Sequence, residues 1–438
     1  MRLVISRWLP GLPYPERYSV CIFLPDGWAH LSAGHGLQGR ACHAICFRMN
    51  DTSILITDTR ALQAFCDSLA GTPFITVDTE FMREKTYWPQ LCLVQVGGPD
   101  EARCIDPLAP GIDLSPLFAL MRDTSVLKVF HAARQDLEIF YNMMGTFPVP
   151  LFDTQVAAMV CGFGDSVGYE TLASKLAKVS IDKSMRFTDW ARRPLTDQQV
   201  SYALSDVVHL RVIYEKLAAR LEETGRAHWL DEEMAVLLDP SNYRVDPPEA
   251  WRRLKTRTKT PRFLGIVREL AAWREIEAQT RDIPRQRVLR DEALLEIAAH
   301  APRTVEQLER TRGFVKGQAE GITGQSILEA VARGKAMPAE DLPTPPCRRD
   351  LPPGIGPATD LLRVLLKMRC EEHDVAQKLV ADSEDLELIA LDDNADVPAL
   401  KGWRRDVFGA DALALKNGSL ALCLSRNGRR VEAVEIEG

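Results

Sequence analysis

Asp78-Thr79-Glu80 sets two carboxylates two positions apart. On a β-strand, residues at that spacing project from one face, so both acids enter one space. Paired like charges repel unless a cation sits between them. Asp136 follows the β-rich run Leu127-Lys128-Val129-Phe130, at the start of a helix in the segment His131-Ala132-Ala133-Arg134-Gln135-Asp136-Leu137. Asp206 stands four residues after Tyr202, the spacing that puts a phenol and a carboxylate one turn apart on one helical face. Four acids with no Cys/His set beside them suit hard divalent cations such as Mg2+ or Mn2+. Two such ions about 4 Å apart activate a water and stabilise the leaving oxygen of an in-line phosphoryl displacement. Tyr202 is placed to orient that water.

The elements that must position these groups follow from the patterning. From Ile54 to about Arg220, apolar strands alternate with amphipathic helices, which indicates an α/β domain. Phe74-Ile75-Thr76-Val77, the run from Leu91 to Val96, Arg103-Cys104-Ile105 and the run from Leu127 to Phe130 read as strands. Gly97-Gly98-Pro99-Asp100 reads as a hairpin turn between the second and third. Ala133 to Met143 and Asp197 to Leu221 read as helices. Three strands in quick succession, then strand and helix in alternation, imply a mixed sheet with an antiparallel side. A Rossmann fold would alternate from its start and carry a Gly-rich first turn, and neither is present.

Residues 240–250, with Pro240, Pro247 and Pro248, read as a linker into an all-helical region that extends to about residue 335. Residues 336–353, rich in proline, form a second linker, and residues 354–438 a second helical segment. The two segments match at a constant offset of 92 residues: Asp282/Asp374, Leu294/Leu386, Ile297/Ile389, Leu308/Leu400 and Gly317/Gly409. This predicts an internal duplication. The copies differ in charge: residues 250–335 carry 18 basic and 11 acidic side chains, net +7, and residues 340–438 carry 13 and 19, net −6. Only the first is built for polyanions.

The whole chain of 438 residues is 46% hydrophobic and 26% charged, enough apolar content for packed cores and too much for disorder. Its net charge of −7 excludes a uniformly basic protein that coats nucleic acid. No uncharged apolar run reaches the ~18 residues of a membrane-spanning helix. Near the N-terminus, Pro10 and Pro13 break any short apolar helix and no small-residue cleavage site follows, so no export signal is expected. The ten cysteines are scattered, as for reduced thiols in the cytoplasm, and Cys42, His43 and Cys46 lack a second close pair that would complete a zinc site. Residues 1–48 show neither helical nor strand periodicity. Regular patterning begins after Met49, so the segment is expected to be an extension outside the fold, with translation starting at Met49.

Asp78-Thr79-Glu80, His131 to Asp136 and Tyr202-x-x-x-Asp206 resemble, in order and spacing, the three exonuclease motifs of the DEDD superfamily in its tyrosine-containing branch. Phe81 to Gln95, Leu151-Phe152-Asp153-Thr154 and Asp189 to Leu195 resemble bacterial ribonuclease D more narrowly. Trp273-Arg274, Asp282-Ile283-Pro284-Arg285 and Val288-Leu289 resemble an HRDC domain. The resemblance covers about residue 50 to the C-terminus. It implies a ribonuclease H-like mixed-sheet exonuclease domain over 50–240, an HRDC domain over 250–335 and a degenerate second one over 354–438, both all-helical. It implies further that Asp78 bridges two metal ions, that Glu80 and Asp206 hold the ion that activates water, that Asp136 supports the second and that Tyr202 hydrogen-bonds the water. The expected reaction is hydrolysis of RNA from its 3′ end with release of 5′-mononucleotides. The expected substrates are RNAs with single-stranded 3′ tails, such as tRNA precursors, acted on in the cytoplasm by a monomer.

RNA contacts are expected at Arg83, Lys85, Tyr87 and Trp88 just after the first motif, at His131, and on the acid-free run that holds Arg252, Arg253, Lys255, Arg257, Lys259 and Arg262. His131 has an alternative as a packed residue, and Trp251 and Phe263 as stacking platforms have one as core. Arg285 and Arg287 of the first repeat are also expected RNA contacts; they become Gln377 and Leu379 in the second, which points that repeat to packing, or to closing a ring around the strand. The competing functions are a DNA exonuclease with the same site and a non-catalytic nucleic-acid adaptor. The intact Asp78, Glu80, Asp136, Tyr202 and Asp206 argue against the adaptor.

Overall fold

A computed structural model of the chain describes residues 54–256, 258, 260–314, 319–344 and 352–436, together with the backbone of three short strands near the N-terminus. Those strands, β1 (Leu3–Ile5), β2 (Val20–Leu24) and β3 (Gly27–Leu31), pair antiparallel in that order, where the sequence shows no strand periodicity. The expected start at Met49, the trio Cys42, His43 and Cys46, Arg257, Lys259 and Gly317 lie outside the described residues.

The α/β part is a six-stranded mixed sheet: β4 (Leu55–Ile56), β5 (Phe74–Met82), β6 (Gln90–Gly97), β7 (Ala102–Ile105), β8 (Leu127–Phe130) and β9 (Leu151–Asp153), in spatial order β4-β7-β6-β5-β8-β9. β6 runs antiparallel to both β5 and β7, whereas β8 and β9 continue parallel to β5, as the strand order implied. The turn at Gly98 closes the β6–β7 hairpin through its N–H to the Glu101 carbonyl at 2.7 Å.

Period-two alternation sorts β5 between two cores. Ile75 and Val77 face α1 (Thr59–Leu69), α2 (Ser115–Arg122) and α3 (Arg134–Met144). Thr76, Asp78 and Glu80 face α6 (Asp197–Glu223), whose Ala203, Leu204 and Val207 pack with Cys92, Leu93 and Cys104 of the sheet. Thr76 Oγ1 donates to the Val207 carbonyl at 2.8 Å and fixes the height of α6 over the sheet. The start of α6 is set by a capping box, in which Gln199 N–H donates to Thr196 Oγ1 and Thr196 N–H to Gln199 Oε1. α4 (Thr154–Val160), α5 (Tyr169–Leu172) and α7 (Leu230–Leu237) complete this part.

The expected linker at 240–250 is instead structured. Turns of 3-10 helix cover Pro240–Asn242 and Pro247–Arg253, and Ala250 and Trp251 are buried in the core of the first helical repeat. Trp251 is therefore core and no stacking platform, and Phe263 packs against the same cluster. This repeat comprises α8 (Pro261–Thr280), α9 (Arg285–Val288), α10 (Asp291–His300), α11 (Val305–Glu309) and α12 (Ile322–Ala336). α8 and α12 cross so closely that a Cβ on Gly334 would lie 2.5 Å from Ile266 Cα.

The second repeat has α13 (Ile355–Glu372), α14 (Gln377–Val380) and α15 (Ser383–Leu391), which repeat α8, α9 and α10 at the predicted offset. Asp282 and Asp374 both take a left-handed backbone, with φ 47° and 52°, and Leu294, Leu386, Ile297 and Ile389 are all buried. After α16 (Gly402–Arg404) and α17 (Ala410–Asn417) the resemblance between the copies ends. The all-helical expectation is corrected here: β10 (Leu420–Leu424) and β11 (Val431–Glu435) form an antiparallel hairpin. Asn427-Gly428 at its tip, with Gly428 at φ 68°, is a hairpin signal that the sequence carries. Among the described residues no helix is long and apolar enough to cross a membrane.

Candidate active site

Ligand oxygens of Asp78, Glu80 and Asp206 all lie within 4.8 Å of one another. The first two come from one face of β5, and a register shift after Glu80 bends the strand there. Asp206 comes from the face of α6 that Tyr202 shares one turn earlier. Asp136 stands beside these three and is held differently: the Thr79 hydroxyl donates to its Oδ1.

Asp153 shapes the turn that delivers Asp136. Its carboxylate accepts from Ala132 N–H at 3.0 Å, Ala133 N–H at 2.8 Å and Gln155 N–H at 2.7 Å. That cradle holds Ala132 at φ 55°, a left-handed conformation unusual for alanine, between β8 and α3. Arg193 does similar work on the other flank. Its guanidinium spans both oxygens of Asp106 and the Cys92 carbonyl, which ties the segment before α6 to β6 and β7.

Burial sets the electrostatics. It pushes Asp78 up to about 6. It pushes Glu80 up to about 9, with repulsion from Asp78, Asp206 and Asp136 adding and Arg186 opposing. Burial and then Asp78 raise Asp206 to about 8, and the same two causes hold Asp136 well above the usual carboxylate range. Burial, reinforced by Asp206 and Glu80, also raises Tyr202, so its phenol keeps the proton that it donates. Such a cluster binds protons at neutral pH unless a multivalent cation replaces them. Among the described residues Asp206 Oδ1 is buried without a hydrogen-bond partner, and a metal would satisfy it. The donor set, all oxygen, fits a hard divalent cation.

The expected RNA contacts have varied settings. Arg83 pairs bidentately with Glu138 at 2.6 and 2.7 Å. Tyr87 is only 7% exposed, because its hydroxyl donates to Glu275 and accepts from Arg285 at 2.8 Å and Gln279 at 3.1 Å. Arg285 in turn grips Glu275 and lies over the Tyr87 ring. Tyr87 and Arg285 thus join the two domains. Arg83, Tyr87, Arg253, Arg274 and Arg285 line a cleft of about 390 Å³ at this junction. Arg252 pairs with Glu249, and Arg253, Lys255 and Arg287 are exposed. His131 packs edge-on to Tyr169, and since Thr154 Oγ1 donates to Phe130, His131 Nδ1 must donate to Thr154 at 3.0 Å. Burial lowers its pKa, so the ring is neutral.

Sequence reasoning missed three neighbours of the site. The Tyr169 hydroxyl donates to the Asp206 carbonyl. Gln95 lies opposite Asp78 in the β5–β6 ladder, fully buried, with neither side-chain polar atom partnered among the described residues. Arg186 is the cation whose charge reaches both Glu80 and Tyr202. Gln95 was legible, since it ends a quoted motif, but Tyr169 and Arg186 carry no local signal.

Comparison with known proteins agrees with this geometry. A family described as 3′-5′ exonuclease matches residues 53–222, and the HRDC domain family matches residues 263–331. Ribonuclease D of Granulibacter bethesdensis is 53% identical over 381 residues, which cover 87% of this chain and 96% of that protein. Ribonuclease D of Zymomonas mobilis is 43% identical over 388 residues, covering 87% and 99%. The crystal structure of Escherichia coli RNase D, described as an exoribonuclease involved in structured RNA processing, aligns with a TM-score of 0.71 at 32% identity, covering 83% of this chain and 98% of that one. A matching nuclease family, an HRDC domain and half-identical relatives over nearly their whole length place this chain in the ribonuclease D family of metal-dependent 3′–5′ exoribonucleases.

Proposed function

We propose that Asp78, Glu80 and Asp206 are direct ligands of catalytic divalent metal, that Asp136 supports a second ion, and that both are Mg2+ or Mn2+. The observation that carries this reading is the mutual approach of three half-buried carboxylates to within 4.8 Å. When bound, the ions supply an activated water and charge stabilisation for the leaving 3′ oxygen. Tyr202, kept protonated, orients the water. Thr79 holds Asp136 in place, and Asp153 holds the turn that carries it. The proposed substrates are RNAs with single-stranded 3′ tails, tRNA precursors among them, processed by a cytoplasmic monomer. The domain division is taken as 50–240, 250–335 and 354–438. Arg83, Arg252, Arg253, Lys255 and Arg287 are proposed phosphate contacts along the first repeat and the cleft. Tyr87, Arg285 and His131 are assigned packing roles in place of RNA contact.

The test uses 3′-labelled RNA and DNA of matched sequence with Mg2+, with Mn2+ and with chelator. Mononucleotide release from RNA is expected with metal only. Asp78→Asn is expected to lower turnover by at least ~10³-fold while RNA binding persists, because the fold and the basic surface are unchanged. Tyr202→Phe is expected to slow turnover strongly and leave metal affinity in place. A phenylalanine variant as fast as the parent would remove the water-orienting role.

A further inference from the structure

Residues 183–188 form two successive turns beside the carboxylate cluster, closed by Arg186 N–H to the Lys183 carbonyl at 3.2 Å and Thr188 N–H to the Met185 carbonyl at 3.1 Å. They are anchored on both sides. Gln199 of α6 donates to Thr188 Oγ1 at 3.2 Å, Met185 packs into the core cluster that includes Tyr202, and Trp190 behind them is 2% exposed. With Met185 turned inward, Arg186 and Phe187 are left outside. Phe187 is 91% exposed, more than any other large apolar side chain among the described residues, and the Arg186 guanidinium lies 5.3 Å from its ring centroid. An aromatic ring held in water on an anchored turn, beside a cation whose charge reaches Glu80 and Tyr202, matches what a strand end offers: a flat base and a phosphate.

We propose that this turn is a clamp for the 3′ end of the RNA, in which Phe187 stacks on a nucleobase and Arg186 contacts the phosphate that enters the carboxylate cluster. The inference rests on the proposed role of that cluster. Stacking on Phe187 is indifferent to base identity, so the clamp takes any single-stranded end and rejects one whose terminal bases remain paired. Arg186 supplies positive charge where an acidic surface would otherwise repel the substrate.

The test compares a single-stranded RNA with the same RNA made abasic at its last two residues. Phe187→Ala is expected to raise KM about tenfold on the first. The increase should shrink below twofold on the second, and Phe187→Trp should restore KM. Arg186→Gln is expected to lower kcat/KM about tenfold or more on both RNAs, with partial recovery in Arg186→Lys. In an Asp78→Asn background, anisotropy of labelled RNA should show the same base-dependent loss of binding on Phe187→Ala without turnover. Equal KM changes on both RNAs, or none, would overturn the clamp, as would a change in oligomeric mass with unaltered kinetics. Turnover by Asp78→Asn alone would instead count against the metal ligands and leave the abasic comparison intact.

Discussion

The two helical repeats descend to the exonuclease domain through the same left-handed aspartate turn, yet the contacts there differ in kind. In the first, Asp282 Oδ1 accepts from the Tyr87 and Trp88 N–H groups, both at 3.0 Å, and the rest of the junction is the enclosed polar set of Glu275, Tyr87, Gln279 and Arg285. Among the described residues its apolar core begins at Val245 and takes in none of the exonuclease domain. In the second, Asp374 pairs with Arg220 and lies so close to Gly162, at φ 77°, that a Cβ there would clash with its carboxylate. Around that contact one continuous apolar core joins α4, α6 and the second repeat. Trp229 and Trp403 stack at 4.0 Å and 7°, and Arg404 binds the Leu379 carbonyl, Glu232 and Glu233. A junction made of shared core is permanent, whereas one made of hydrogen bonds can open. The difference follows the charges: the basic copy is docked through hydrogen bonds, and the acidic copy shares a core with the body that holds α6.

The largest effect is expected at the shared core. Trp403→Ala should lower global stability by about 3–5 kcal/mol, because it removes a stacked indole and leaves a cavity. Urea unfolding followed by circular dichroism would check this. A loss under 1 kcal/mol would mean that the second repeat is as loosely attached as the first. An intermediate effect is expected from Glu275→Gln, which leaves the buried side of Arg285 without its charge partner and weakens docking by about 1–3 kcal/mol. Amide exchange should speed up on the docking face of α8 and α9 and in residues 83–88, with the sheet core still protected. The smallest effect is a pH response of the same junction. Burial alone would raise Glu275, but hydrogen bonds from Arg285, Tyr87 and Gln279 outweigh it and hold the carboxyl below its ordinary value. A depressed carboxyl contributes stability that is present above its unfolded pKa and lost as pH falls through the folded one. Acid below the ordinary glutamate range should therefore release the first repeat before the second, seen as exchange of α8 ahead of α13. Simultaneous release would erase the distinction.

Much of the site was legible because its spacings are short-range. Asp78 and Glu80 share a strand face, Tyr202 and Asp206 share a helix face, and the period of each element dictates that from two or four residues of sequence. The 92-residue offset between repeats was legible for the same reason, since it recurs in Leu294/Leu386 and Ile297/Ile389, the apolar faces of matching helices. The hairpin at 420–435 carried its own turn signal in Asn427-Gly428. What only the folded chain decided was partnership across distance. Tyr87 carries the composition of a base-stacking residue, yet Glu275, from a separate domain, takes its hydroxyl. Trp251 has the look of an RNA contact and is core. Phe187 bears no sequence signal, and it is the ring left in solvent. Backbone geometry sets which neighbours share a face, but which remote side chain covers or bares a group depends on how whole elements pack, and no local spacing encodes that.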